Sequence, residues 1–229
     1  FGPTWQLPRS ENQWFEVNIT SVGSALPSVA GRPCRPPAAT SVKHIEHGAR
    51  LVIKTLNEKD FDRFFEYLTL HISESGNDGP MFQPLSRDDD PLPADKMASF
   101  IKGLSVPVGK PGWRRAWIAE GVTGEVVGHV DLRSRPEPYT GHRALLGMGV
   151  SSACRREGLG QKLVMFVSSW ALESNVIESI DLAVLSDNLP AIKLYEKLSF
   201  TMVCEIPDMF RINGVSHGDI HMTKRLRTA

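Results

Sequence analysis

The segment from Ala116 to Ser152 constrains the fold most. Three stretches of strand character, "AWIAE", "EVVGHVDLRSR" and "HRALLGMGVSS", follow one another with only short breaks. The first two are joined by "GVTGE", a glycine-containing hairpin signal. The period then changes abruptly: Leu159, Leu163, Phe166, Val167, Trp170 and Ala171 fall on one face of a helix. An apparent antiparallel run thus turns at once into an amphipathic helix. The change fixes a glycine-rich turn, "CRREGLGQKL", at the junction.

The flanks extend the pattern. Upstream, "ARLVIKTL" is β-prone, and Phe61, Phe64, Phe65 and Leu68 recur at helical spacing. A loop-like stretch, "GNDGPMFQPLSRDDDPLPADK", separates that helix from a second in "ADKMASFIKGL". Downstream come the strand "SIDLAVLS", the helix "LPAIKLYEKLSF" and two strands, "TMVCEI" and "GDIHMTKRL". The order βααβββαβαββ predicts an α+β domain whose mixed, largely antiparallel sheet is flanked by helices. Residues 1–48 are rich in Pro, Ser and Gly and lack periodicity, so they are expected to form an extension, with the domain at 49–229. In that extension Trp5, Trp14 and Phe15 could dock on the domain or on a partner.

Charge and cysteine content narrow the function. Lys and Arg number 26 and so do Asp and Glu, which leaves no global field for nucleic acid or an anionic membrane. Any anion site must be local. Three cysteines with no CxxC pair and no metal-ligand spacing argue against a disulfide framework or a metal site. With no apolar run of transmembrane length and no secretion signal, the expected location is the cytoplasm.

In the junction turn, Gly158 and Gly160 let a ligand approach the backbone, and the N–H groups that open a helix are unsatisfied donors at the positive end of its dipole. Phosphate is the natural occupant. The turn is neither a Walker A loop nor a dinucleotide fingerprint, since GxxxxGK[ST] and GxGxxG are both absent.

"VSSACRREGLGQKL" resembles the acyl-CoA signature of the GNAT acetyltransferases, [RQ]-x-x-G-x-[GA], at Arg155, Gly158 and Gly160. "SDNLPAIKLYEKLSF" is similar to the family's N-x-x-A-x-x-L-Y-x-x-x-G-F at Asn188, Ala191, Leu194, Tyr195 and Phe200, with Ser199 in place of the glycine. The resemblance implies the GNAT acyl-CoA N-acyltransferase fold and acetyl-CoA as acyl-donor cosubstrate. It places the pyrophosphate against the amides of Arg156, Glu157, Gly158, Leu159 and Gly160, with charge from Arg155 and Arg156 and the Glu157 carboxylate turned to solvent. Pantetheine is expected along the strand carrying Met148 and Val150, where Gly147 and Gly149 permit splaying, and an amide near Val150 would polarise the thioester carbonyl. Asn188 is expected to cap a helix, contact the coenzyme, or do both. Tyr195 matches the family's general acid, a reading that Asn188 at the right spacing favours over a tyrosine that merely packs its ring on an amphipathic helix.

The base is open. Many members of the family carry a glutamate on the strand ending at Val150, where this chain has Gly147, Met148 and Gly149. His142 and Asp131 are the candidates, with His129 on the same strand face as Asp131 and Glu120 less supported. Cys154 is read as a small loop residue. Asp88, Asp89 and Asp90 could attract a cationic amine, and Phe82 and Trp113 could line an acceptor site or fill the core. The implied reaction is N-acetylation of a primary amine of a small molecule by direct attack. The alternatives are a protein N-terminal or lysine acetyltransferase and a non-catalytic acyl-CoA-binding module. No nucleic acid, membrane or metal is expected, and a homodimer is left open.

Overall fold

The computed structural model describes residues 51–77 and 79–227. The expected extension 1–48, with Trp5, Trp14 and Phe15, lies outside the described residues. Strand β1 (Val52–Thr55) leads through a 3-10 turn at Glu58–Asp60 into α1 (Phe61–Ser73), and α2 (Ala94–Ser105) follows. Then come β2 (Arg114–Glu120), β3 (Val126–Ser134), β4 (Arg143–Val150) and α3 (Leu159–Glu173). The chain continues with β5 (Ser179–Leu185), α4 (Leu189–Lys197), β6 (Thr201–Ile212) and β7 (Val215–Arg225). The element order is the expected one. One seven-stranded sheet runs β1-β2-β3-β4-β5-β7-β6, antiparallel throughout except for β4 with β5.

Each face of the sheet is closed by a different pair of helices. Leu159, Leu163, Val164, Val167 and Ala171 of α3 pack with Val130, Leu132, Ala144 and Leu146, and Ile192 and Tyr195 of α4 join the same core. The opposite face is covered by α1 and α2, with Phe64, Tyr67, Leu68 and Phe100 on Ala116 and Ile118. Trp113 belongs to the first core, buried against Trp170, and is not a wall of a site.

The last hairpin is longer than its sequence suggests. β6 continues past Ile206 to Ile212, because the irregularity between Ile206 and Phe210 absorbs Pro207 and Asp208. Asn213 and Gly214, at φ of 51° and 80°, close the hairpin in the left-handed conformations such a turn demands.

The parallel pair is what opens the sheet. β4 and β5 are in register only at Arg143–Ser179, Ala144–Ile180 and Leu145–Asp181. Beyond Leu146 β4 keeps β3 on one side and has no strand partner among the described residues on the other. Ser151 N–H donates to Val127 O at 3.0 Å, so residues of odd number on β4 bond to β3. The parallel register at Leu145–Asp181 uses the N–H of Leu146, so Met148 and Val150 are the residues that turn their N–H groups into the fork.

Candidate active site

Four elements converge at the open end of β4. The α3 N-terminus is set by Gly158, whose φ of 81° makes the left-handed turn into the helix. Arg156, at φ 67°, adopts the same region without glycine's freedom. A Cβ at Gly160 would lie 3.1 Å from Met148 Cε and 3.2 Å from Leu194 Cδ2, so α3, β4 and α4 meet at this glycine. None of the N–H groups from Arg156 to Gly160 donates to an acceptor among the described residues, and Arg156, Glu157 and Gly158 are exposed. Unpaired amides at the positive end of a fifteen-residue helix suit a phosphate.

Arg155 has a different task from the one its sequence position suggests. Its Nε donates to Val150 O at 3.0 Å, its Nη2 to Glu74 at 2.8 Å, and the guanidinium lies over the Phe82 ring. It therefore ties the end of β4 to the loop after α1 and is not a free charge for phosphate. Arg156 remains the exposed cation of the turn. Asn188 caps α4 by accepting from Ala191 N–H at 3.3 Å.

Tyr195 is buried on α4 beside Phe200, with ring centroids 5.6 Å apart. Burial raises its pKa above the ordinary phenol value, so it holds its proton at neutral pH.

The expected bases need correction. His142 is exposed and precedes β4 at the end where β4 and β5 are still joined, its carbonyl accepting from Glu178 N–H at 2.8 Å. Eight strand residues, about 26 Å at ~3.3 Å each, separate it from Val150. It lies outside the fork and drops out as the base. Asp131 does face the fork region, yet it is no free carboxylate: Arg114 Nη1 reaches its Oδ1 at 2.8 Å and Arg133 Nη1 at 3.2 Å. Burial raises the Asp131 pKa, but the charges of Arg133 and Arg114 outweigh it and hold the group below its ordinary value. Such a carboxylate is a poor proton acceptor and a good electrostatic anchor. Glu120 pairs with Lys54 at 2.8 Å and with Arg63, and is structural.

Two clusters stand over the strand glycines on the α1/α2 face, His129 joined by His71 and Asp131 by Arg133, the two partners that the sequence reading did not single out. Cross-strand pairing sets His129 against Gly149 and Asp131 against Gly147. A Cβ at Gly149 would lie 2.3 Å from His71 Nε2 and 2.7 Å from His129 Cε1. One at Gly147 would lie 2.3 Å from Asp131 Oδ2 and 2.7 Å from Arg133 Nη1. The imidazoles and the Asp–Arg group fill the volume that larger β4 side chains would take. His71 stacks on Phe82 at 4.7 Å, and His129 Nδ1 lies 3.2 Å from the Tyr67 hydroxyl. Burial, with the charges of His129 and Arg155, lowers the His71 pKa to about 3; burial lowers that of His129 to about 4, against the upward pull of Asp131 and with Arg114 and Arg133 adding to the fall. His71 falls seven residues after Phe64 on the helix face that the phenylalanines already marked, so its position was readable although its neighbours were not.

Asp88, Asp89 and Asp90 are exposed in the loop before α2, and among the described residues no cluster of His, Cys, Asp and Glu could hold a metal ion. No described helix is long and apolar enough to cross a membrane.

Residues 93–200 match the model of the acetyltransferase (GNAT) family. The L-amino acid N-acetyltransferase AaaT of Escherichia coli (strain K12) is 32% identical over 79 residues. That match covers 34% of this chain and 49% of the relative, about half its length. Among solved structures, the acetyltransferase yncA from Salmonella typhimurium, with its cofactor acetyl-CoA, superposes with a TM-score of 0.64 at 16% identity, covering 78% of this chain and 95% of that one. Spermidine N-acetyltransferase from Vibrio cholerae, in complex with CoA and spermine, gives 0.59 at 18% identity, covering 77% and 95%. At such identities these structures establish the fold alone.

Proposed function

The chain carries a domain of the acetyltransferase (GNAT) family, and from that premise we propose that it transfers acetyl from acetyl-CoA to the primary amine of a small molecule. The observation that carries the reading is the fork. The amides of Met148 and Val150, unpaired among the described residues, open beside the likewise unpaired amides of Arg156 to Gly160, one set suited to an extended pantetheine and the other to a pyrophosphate. An arm and a diphosphate in that relation are what coenzyme A presents.

In the proposed reaction a neutral amine attacks the thioester carbonyl, the C–N bond forms and the C–S bond breaks. The amine's proton passes to solvent water. The Met148 or Val150 N–H donates to the developing oxyanion. Tyr195 gives its proton to the departing thiolate and recovers one from solvent. Its raised pKa suits this role, because the apolar surroundings that keep the phenol protonated also make a shielded thiolate more basic.

The name of the E. coli relative supports amino acids among the acceptors. The test is release of coenzyme A thiol from acetyl-CoA across a panel of amines, amino acids and peptides, with binding of acetyl-CoA measured in parallel for wild type and Tyr195→Phe. Turnover on small amines that falls about a hundredfold in Tyr195→Phe, with binding retained, supports the reading. Thiol release confined to the peptides would move it to protein acetylation, and binding without thiol release on any acceptor would leave an acyl-CoA-binding module.

A further inference from the structure

The group over Gly147 is unbalanced. Arg114 and Arg133 carry two positive charges against the single carboxylate of Asp131, and both arginines address the same oxygen, Oδ1. Asp131 Oδ2 accepts no hydrogen bond from the described residues and lies 2.3 Å from where a Gly147 side chain would begin. The Arg133 guanidinium lies 2.7 Å from that same point. Arg133 uses only Nη1, for one bond of 3.2 Å, so Nη2 and Nε are uncommitted.

No anion among the described residues completes the set. Glu74, on the loop after α1, is taken by Arg155 and Ser152. Asp181 is taken by Arg135, Arg143 and Thr223. α1 presents Tyr67 and His71 and β3 presents His129, all neutral at physiological pH, while α2 presents the Phe100 ring beneath Arg114 at 4.3 Å. An excess positive charge held half-buried beside an apolar layer is costly unless an anion meets it. The free carboxylate oxygen beside it offers an acceptor for an ammonium.

We propose that the acceptor substrate is a zwitterion, an amine bearing a neighbouring carboxylate, and that Arg133, backed by Arg114, receives its carboxylate while Asp131 Oδ2 receives its ammonium on arrival. This rests on the acetyl-transfer reading above and adds the acceptor class. The arrangement stands directly over the first unpaired stretch of β4, so an amine anchored there reaches the fork. The same positive excess disfavours polyamines. Gly147 is required because any side chain would occupy the anchoring volume.

The experiment measures kcat/KM for a set of L-amino acids, each beside its carboxamide and its decarboxylated amine, and calorimetric binding of the same compounds to the protein–CoA complex. We expect each preferred amino acid to exceed its amine by about ten- to a hundredfold, with spermine a poor substrate. Arg133→Met should lower the amino-acid value far more than the amine value, so that the ratio falls toward one. Arg133→Lys should restore part of it. Equal use of acid and amine by the wild type, or a ratio that survives Arg133→Met, overturns the proposal. If no compound turns over, the acetyl-transfer reading fails by itself. Carboxylate-dependent binding to the CoA complex then still upholds the zwitterion site, and its absence refutes it.

Discussion

Acid should weaken this fold through two buried histidines. His71 is 8% and His129 7% exposed, and their pKa values of about 3 and about 4 lie well below the ordinary 6.5. Both imidazoles are neutral in the fold at every pH above about 5, whereas in the unfolded chain they protonate as pH falls through 6.5. The folded values are depressed, so the unfolded state binds more protons and stability is lost on acidification. Between pH 7 and pH 5 each histidine contributes a loss of about 2 kcal/mol, and the pair about 4. Much of the marginal stability of a domain this size would go. The perturbation that isolates the effect is His71→Leu, which removes one titrating ring from an apolar stack whose Nδ1 has no partner. Urea unfolding at pH 7, 6 and 5 should show the variant losing about 2 kcal/mol less than wild type across that range, whatever its offset at pH 7. Groups common to both proteins cancel in the difference. Identical slopes for the two proteins would refute the claim that burial holds His71 neutral.

Four further outcomes follow. Ser199, at φ 66° just beyond α4, occupies a left-handed position that costs a side chain about 1 kcal/mol, so Ser199→Gly should raise the urea midpoint by about 0.5–1 kcal/mol of stability. Asn188→Ala removes the bond to Ala191 N–H and should cost about 1 kcal/mol, read by thermal unfolding. Gly149→Ala drives a methyl to 2.3 Å from His71 Nε2 and should cost about 1–3 kcal/mol, with His71→Leu partly relieving it in a double-mutant cycle. β6 forms an edge of the sheet with Met202, Val203 and Met209 exposed, so the homodimer left open by the sequence is expected to form across this strand. Sedimentation should find a dimer that Val203→Lys dissociates, and a monomeric wild type would refute it.

What could be read in the sequence was local, and what could not was cross-strand. The Leu159–Ala171 period, the glycines of the turn and the Asn188 cap each act within a few residues, so α3, its N-terminus and α4 stand where pattern placed them. The parity of His129 and Asp131 was likewise visible, because alternation along β3 needs no partner. Register is different. Whether His142 or Asp131 approaches the fork depends on where β4 leaves β5, and that separation after Leu145 leaves no trace in either strand's own sequence. Gly147 and Gly149 marked the place without showing the cause. They read as permission for β4 to bend, whereas the space they leave is filled from β3 and α1 by Asp131, Arg133, His129 and His71. The missing strand glutamate therefore says nothing by itself about whether the site is charged, because a neighbouring strand directs its own side chains into the same volume. A single chain shows the vacancy on β4. The strand pairing shows what occupies it.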